Sequence, residues 1–393
     1  MSFESLLGRV FRANPAYELV LWDRLAPEER RALARLPDDP GFYGVLRPVG
    51  GIELGIELGI KAIDRDTALL FLTLRQPGAL PAYVRTVLAE ATGRTIARLV
   101  ADGVLEIERD GAYVSGAAAL GGGLSVDSGR GVGEGRLAAL SVAALRYGQA
   151  LAIDDPLRLS FRLYGYNRRP LTPRWQRLLA SAEAVRTWLG IAPDGAHRPA
   201  LDRAWRASPA SAASEAWLSW RSRQPERASS DERATWKLYV SPAPEALAAS
   251  FGAVLDALTA GRAAQFKIGS GAAGLLRPDK IVAYFPDFER LAAAAEAVSS
   301  RLAGVPAQGV PFTSEIGGDG LLSWGMDPPA TERGAWGGRE SWRLWLTHRL
   351  ARALLAARGA GGAEPWRFAL ERVRLEGVDT ATWTPAASLW SGG

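Results

Sequence analysis

Lysine is the scarce cation of this chain. Of 47 basic side chains only four are lysine, Lys61, Lys237, Lys267 and Lys280, and the rest are arginine. Three of the four fall between residues 237 and 280. Both side-chain types bind phosphate, but arginine stays protonated, whereas a lysine with a depressed pKa can accept a proton as a general base. Lys267 and Lys280 each stand at the edge of an apolar run, Gln265-Phe-Lys-Ile268 and Ile281-Val-Ala-Tyr-Phe285, with Arg277 close in sequence. Clustered cations push at least one of these amines toward its neutral form. The plainer alternative is a chance grouping of rare residues on solvent-facing strand positions.

Most other chemistries are excluded by composition. There is no cysteine, hence no disulfide, thiol nucleophile, iron–sulfur cluster or cysteine-ligated zinc. Two histidines, His197 and His348, leave little room for a multi-histidine metal site. No lysine follows a glycine, so there is no Walker A loop. Gly269-Ser-Gly-Ala-Ala-Gly274 matches the dinucleotide fingerprint in letters, but the chain then runs Leu-Leu-Arg-Pro-Asp-Lys into a new strand. Pro278 denies the helix that fingerprint requires, and no kinase signature accompanies the loop. A flexible strand connection remains. Neither histidine lies near a Gly-x-Ser-x-Gly elbow. No local spacing favours a glycosidase carboxylate pair.

The elements that must position these residues read as α+β in three stretches. Residues 1–120 carry a helix over Leu25–Leu36 and strands over Gly51–Lys61 and Thr67–Arg75. Gly51–Lys61 is a tandem four-residue repeat with strict period-two alternation, in which Glu53 and Glu57 read as the exposed face of a lengthened strand. Helices over Pro81–Glu90 and Thr95–Ala101 precede a hairpin over Val104–Ser115, turning at Asp110-Gly111. Helix, helix, hairpin is the outline of a winged helix. Arg94 and Arg98 are few phosphate contacts for DNA, and peptide or partner docking is the other use of such a module.

A glycine-rich stretch over 120–135 leads into a mainly helical middle, 136–204, with helices over Leu137–Ala150 and Trp175–Leu189. Between them LSFRLYGYNRRPLTPRW reads as a strand and a Pro-bounded loop with snorkelling arginines, or as the lining of an anionic or peptide site. Residues 205–234 read as a boundary. A compact α+β unit then occupies 235–393. Its strands are Trp236–Val240, Ala264–Ile268 and Ile281–Phe285, and its helices Glu245–Ala260, Phe288–Leu302 and Trp342–Ala357.

At 48% hydrophobic, 23% charged and net charge +5, the composition is ordinary for a globular protein. It is weak support for nucleic-acid binding. The N-terminus has early charges and no apolar run like a signal sequence, and no stretch is long enough to span a bilayer. A bacterial cytoplasmic protein without membrane contact is the expectation.

Gln265-Phe-Lys-Ile268, Arg277-Pro-Asp-Lys-Ile-Val-Ala-Tyr-Phe285, Val310-Pro-Phe-Thr313, Gly325-Met-Asp-Pro328 and Gly337-Gly-Arg-Glu-Ser-Trp-Arg343 occur in this order. Over about 236–357 this resembles the HopA-like type III effector family and the lyase components of lanthipeptide and thioamitide pathways. Those are similar in turn to bacterial phosphothreonine lyases. The resemblance implies β-elimination of phosphate from phosphoserine or phosphothreonine in a precursor peptide, giving dehydroalanine or dehydrobutyrine, with no metal or organic cofactor. It implies Lys280 as the base, Lys267 as the group stabilising the developing enolate, and Arg277, Arg339 and Arg343 as phosphate ligands. Where phosphothreonine lyases carry a histidine acid two residues after the first lysine, this chain has Gly269, and His348 is the substitute acid. A separate peptide kinase is the implied partner, with the N-terminal region binding the leader peptide or that kinase. A non-catalytic peptide-binding or scaffold subunit, and a secreted effector, are the alternatives.

Overall fold

The computed structural model describes residues 3–33, 41–49, 60–88, 91–120, 133, 135–208, 216–224, 236–328, 340–361, 363–386 and 389. The chain divides into two compact units, Met1–Gly129 with Ala353–Glu376, and Arg130–Arg352 with Gly377–Gly393. Helices and antiparallel sheets are both present, as the α+β expectation requires.

The first unit holds two small sheets. One orders Gly78–Ala79, Val10–Ala13, Leu105–Arg109 and Ala112–Val114, and the other Tyr17–Leu21, Gly44–Pro48 and Lys61–Ile63. Helices Ala82–Leu88 and Thr92–Ala101 precede the hairpin. Asp110 and Gly111 both take positive φ, 50° and 80°, the conformation that a tight two-residue hairpin turn demands. Helix Pro365–Leu375 belongs to the same unit, where Arg372 donates to both carboxylate oxygens of Asp102 at 2.6 and 3.0 Å. The helix expected over Leu25–Leu36 is shorter, Pro27–Ala32, and Glu29 caps it by accepting from Ala26 N at 2.8 Å.

Thr67–Arg75 is not a strand. It falls in helix Arg65–Thr73, started by Asp64, whose side chain accepts from Thr67 N at 2.7 Å. Its buried residues, Thr67, Ala68, Leu70 and Phe71, lie at helical spacing, while Leu69 and Leu72 are exposed. Residues 51–59 of the tandem repeat, with Glu53 and Glu57, lie outside the described residues.

The second unit is built on one seven-stranded antiparallel sheet. Helices α1 (Arg136–Ala150) and α2 (Pro156–Tyr164) precede it. The strands are β1 (Trp205–Ala207), β2 (Trp217–Ser222), β3 (Trp236–Val240), β4 (Gln265–Gly269), β5 (Ile281–Phe285), β6 (Ser314–Ile316) and β7 (Leu322–Met326), in the order β6-β7-β3-β5-β4-β2-β1. Both strands of the presumed boundary region 205–234 are therefore sheet members.

Strand alternation divides the sheet's faces. Leu238, Val240, Phe266, Ile268, Ile281, Ala283 and Phe285 face one core, which includes the buried residues of α3 (Pro244–Ala260) and α4 (Phe288–Arg301). In α3 these are Leu247, Phe251, Val254, Leu255 and Leu258, an apolar stripe at helical period. Asp287 caps α4 by accepting from Arg290 N at 2.9 Å. Phe266 stacks on Trp220 at 5.0 Å and meets Trp205 edge-on at 4.7 Å, each pair contributing about 0.5–1.5 kcal/mol beyond area burial.

Two expected elements differ. Leu159–Trp175 begins in helix α2, because Asp155 accepts from Arg158 N at 2.6 Å and Pro156 pre-sets the first turn. Trp175–Leu189 is two helices, Pro173–Leu178 and Ala182–Trp188. Ser181 begins the second by accepting from Ala184 N at 3.1 Å. Helix α5 (Trp342–Ala356) runs where a helix was expected. Among the described residues no helix is long and apolar enough to cross a membrane.

Candidate functional site

The face of the sheet opposite the α3 and α4 core is polar and cationic. One cross-strand row runs Glu315, Ser323, Tyr239, Val282, Lys267, Ser219, and the next runs Gly325, Lys237, Tyr284, Gln265, Arg221, Arg206. Lys267 is half-buried at the centre, its Nζ 4.4 Å from the Trp217 ring centroid and 5.6 Å from that of Tyr284. Aromatic faces hold an ammonium without neutralising it by a counter-charge. Among the described residues no carboxylate pairs with this amine. Its pKa falls to about 8, chiefly through burial, then through Lys237, with Arg277 adding to the push and Asp279 and Asp327 opposing it. Lys237 is itself paired with Asp327, which also accepts from Trp342 N at 2.9 Å at the start of α5.

Beside Lys267 lies a cluster built around a buried carboxylate. Asp279, 2% exposed, accepts from Arg277 Nε and Nη2 at 2.8 Å each and from the Tyr164 hydroxyl at 3.0 Å. Arg343 Nη1 stands 2.9 Å away as an ion-pair partner. Burial alone would raise the Asp279 pKa, but Arg343 and Arg277 outweigh it and hold the carboxyl well below the ordinary range. Arg343 is wholly buried, and its remaining donors reach Pro311 O at 3.1 Å and Tyr164 O at 2.8 Å. Arg277 is part-exposed and lies over both Tyr164 and Trp217, 5.3 and 5.1 Å from the ring centroids. Trp217 thus carries Lys267 and Arg277 on one ring.

Lys280 is enclosed elsewhere. It is 0% exposed, and its Nζ donates to Pro242 O at 2.9 Å and Gln308 Oε1 at 2.7 Å. Gln308 is fixed in turn by donating to Asn167 O at 2.6 Å and Leu276 O at 3.1 Å. Burial lowers the Lys280 pKa to about 7, with Arg169 adding to the fall and Asp279 and Glu245 opposing it. Two acceptors match the two N–H donors of a neutral amine.

The residues expected to act together are therefore distributed. Lys267 and Arg277 share the face opposite the α3 and α4 core, whereas Lys280 and Arg343 are wholly buried. Arg339 lies outside the described residues. His348 is buried on α5, its Nδ1 2.9 Å from Glu340 Oε1 and its ring against Phe161. Gly269 leaves no room for a side chain, since a Cβ there would meet the Gly274 carbonyl carbon at 2.5 Å. The glycines of the fingerprint-like run thus pack against each other, and the run holds only a single helical turn, Ala272–Leu275. Asp279, Tyr164, Trp217 and Tyr284 were not singled out from sequence. An acid between two cations in Arg277-Pro-Asp-Lys280 was the available signal for the first. No group of three or more histidine, aspartate or glutamate residues suited to a metal occurs among the described residues.

No protein-family model matches the chain, and no curated protein sequence does. Among solved structures it is similar to the effector protein from Pseudomonas syringae pv. tomato strain DC3000, at 12% identity and TM-score 0.38, over 63% of this chain and 97% of that one. It is similar to the Salmonella plasmid virulence C protein at 16% identity and TM-score 0.27, over 38% and 77%. A phosphothreonine lyase follows at 14% identity and TM-score 0.29, over 53% and 98%. Effectors and phosphothreonine lyases are the relatives that the sequence resemblance names. At such scores the likeness assigns no residue a role. The side chains of this chain carry its chemistry.

Proposed function

We propose that this protein is a lyase that eliminates phosphate from phosphoserine or phosphothreonine in a peptide, and that Lys267 rather than Lys280 is its base. The observation that carries the reading is the setting of Lys267. The residue is half-buried, its amine is held by two aromatic rings with no carboxylate partner among the described residues, and its pKa is lowered to about 8. A base needs access to substrate and a pKa near the working pH, and this lysine has both.

Neutral Lys267 Nζ takes the Cα proton. The C–H electrons form the Cα=Cβ double bond, and the Cβ–O bond breaks with its electron pair leaving on phosphate. The developing enolate lies on a cationic face, where Lys237 and Arg277 supply fixed positive charge. Arg277 binds the leaving phosphate through Nη1, the part of its guanidinium that Asp279 leaves free. Lys280 and Arg343 hold the scaffold. Lys280 ties the Pro242 turn to Gln308, and Arg343 balances Asp279. A ribosomal-peptide biosynthetic setting, with a separate kinase supplying the phosphopeptide, is the pathway context of this reading.

The test is direct. Incubated with a phosphoserine peptide, the protein should release inorganic phosphate and leave a dehydroalanine peptide lighter by one phosphoric acid. Intact phosphopeptide after prolonged incubation with several unrelated peptides overturns the reading.

A further inference from the structure

Beyond Lys267 the same sheet face continues to its edge, and that edge pairs two arginines. Arg206 of β1 stands directly opposite Arg221 of β2. Like charges directly opposite across strands destabilise a sheet. Both are exposed, and among the described residues neither has a carboxylate partner. Of the two, Arg221 also lines a cavity of about 450 Å³ that follows β2 from Trp217 to Arg221. Among the described residues Arg186, Arg198, Arg221 and Arg223 line it, against one acid, Asp202. Asp202 is committed to Arg198 at 2.7 Å, and Arg223 Nε donates to Trp205 O at 3.0 Å. Arg186 stands 3.5 Å from Glu183, so among the described residues Arg221 and Arg223 are the lining arginines without a carboxylate partner, and the walls beside them are aromatic.

It adjoins the Lys267 site through shared residues. Trp217 lines the cavity and carries Lys267, while Ser219, directly opposite Lys267, and Gln265 line it as well. With strands about 4.8 Å apart and about 3.3 Å per residue along each, Arg221 sits about 8 Å from Lys267 at the backbone. An extended peptide covers that distance within three residues.

We propose that this cavity is a second subsite, which binds carboxylate side chains of the peptide that flank the phosphorylated residue. The inference rests on the lyase reading for the phosphorylated residue, but its occupant is a different part of the ligand. Retaining Arg221 opposite Arg206 against its folding penalty is explained when an anion in the cavity pairs with Arg221. Guanidinium forks bind carboxylates bidentately.

The experiment compares two phosphoserine peptides that differ only in having glutamates or glutamines within three residues of the phosphoserine. Binding is measured by fluorescence anisotropy and turnover by phosphate release, for wild type and for Arg221→Gln/Arg223→Gln, both in the cavity lining. Wild type should bind the glutamate peptide about tenfold more tightly and show a correspondingly lower KM, with kcat unchanged. The double variant should lose that preference while keeping its affinity for the glutamine peptide and its kcat. Equal binding of both peptides by wild type overturns the proposal. So does an equal loss for both peptides in the double variant, or displacement of the glutamate peptide by a short RNA at lower concentration than by the unphosphorylated glutamate peptide. If neither peptide is turned over but the glutamate preference in binding persists and vanishes in the variant, the subsite stands and the lyase reading falls.

Discussion

Lys267 and Lys280 stand on either side of one glycine-rich turn, and their surroundings are opposites. Around Lys267 the walls are aromatic, the neighbours are cations, and part of the side chain meets solvent. Around Lys280 the walls are backbone carbonyl and amide, and no surface remains. Both amines are pushed toward neutrality by burial, yet only the first residue keeps exposed surface. A depressed pKa alone does not mark a base. Burial lowers an interior lysine as well, and where that amine also holds buried acceptors its removal is expected to damage the fold rather than the chemistry.

Exchanging each lysine for methionine is the strongest way to break that contrast. Lys267→Met should lower phosphate elimination by about 10²–10⁴-fold, the usual contribution of a positioned base, while leaving thermal stability at or above wild type. Lys280→Met should retain turnover per folded molecule but lower the melting temperature. It strands the Gln308 and Pro242 oxygens, at about 1–3 kcal/mol for each unsatisfied buried group. Rates measured beside melting curves separate the two. Activity lost in Lys280→Met with its stability intact would invert the assignment.

Asp279 sharpens the same division between interior and surface. Asp279→Ala removes the acid facing wholly buried Arg343 and should cost about 3–5 kcal/mol in urea unfolding, the usual result of orphaning a buried charge. The pH dependence has a definite sign. The folded pKa lies below the ordinary value of 3.8, so the stabilisation is present above that value and lost as pH falls through the lower folded one. Asp279→Asn should flatten that acid limb.

Gly269 tests the turn between the lysines. Gly269→Ala should destabilise by about 1–3 kcal/mol, because its Cβ meets the backbone of Gly274 rather than a side chain that can move. Gly269→His, which introduces the histidine that the sequence resemblance leads one to expect at this position, should not raise activity.

How much of this was legible in the sequence follows from which forces are local. Strands Trp236–Val240 and Ile281–Phe285 and helix α3 were readable because apolar period and stop signals agree there. Helix Arg65–Thr73 was not, since Thr67–Arg75 is apolar enough for either state and the decision rests on the Asp64 cap. The split of Trp175–Leu189 likewise turns on one serine cap. At the site, the cationic grouping of Lys237, Lys267 and Arg277 was legible as composition. The inward path of Lys280 was not. It precedes β5, where cross-strand register no longer dictates direction, and its acceptors come from Pro242 and Gln308, both distant in sequence.

The pH profile of turnover separates the surroundings again, with a smaller effect. A base must be neutral, so kcat/KM should rise with pH, reach half its plateau near pH 8, the value to which Lys267 is lowered, and level off above it. Lys280→Met should keep that rising limb, and Lys267→Met should lose it along with most of the rate.

The smallest effect is expected at His348. Its Nδ1 faces Glu340 and its ring packs on Phe161, five residues along α5 from Arg343. At about 1.5 Å of rise per residue that separation is about 7.5 Å, directed from the Asp279 cluster toward the Phe161 side of α2. A proton donor to the leaving phosphate would have to sit on the face that carries Lys267 and Trp217. His348→Gln should therefore change kcat by less than about threefold, well short of the 10²–10⁴-fold expected for loss of an acid. A larger fall in kcat at unchanged melting temperature would restore His348 as the acid and place the leaving group on the interior side of the sheet.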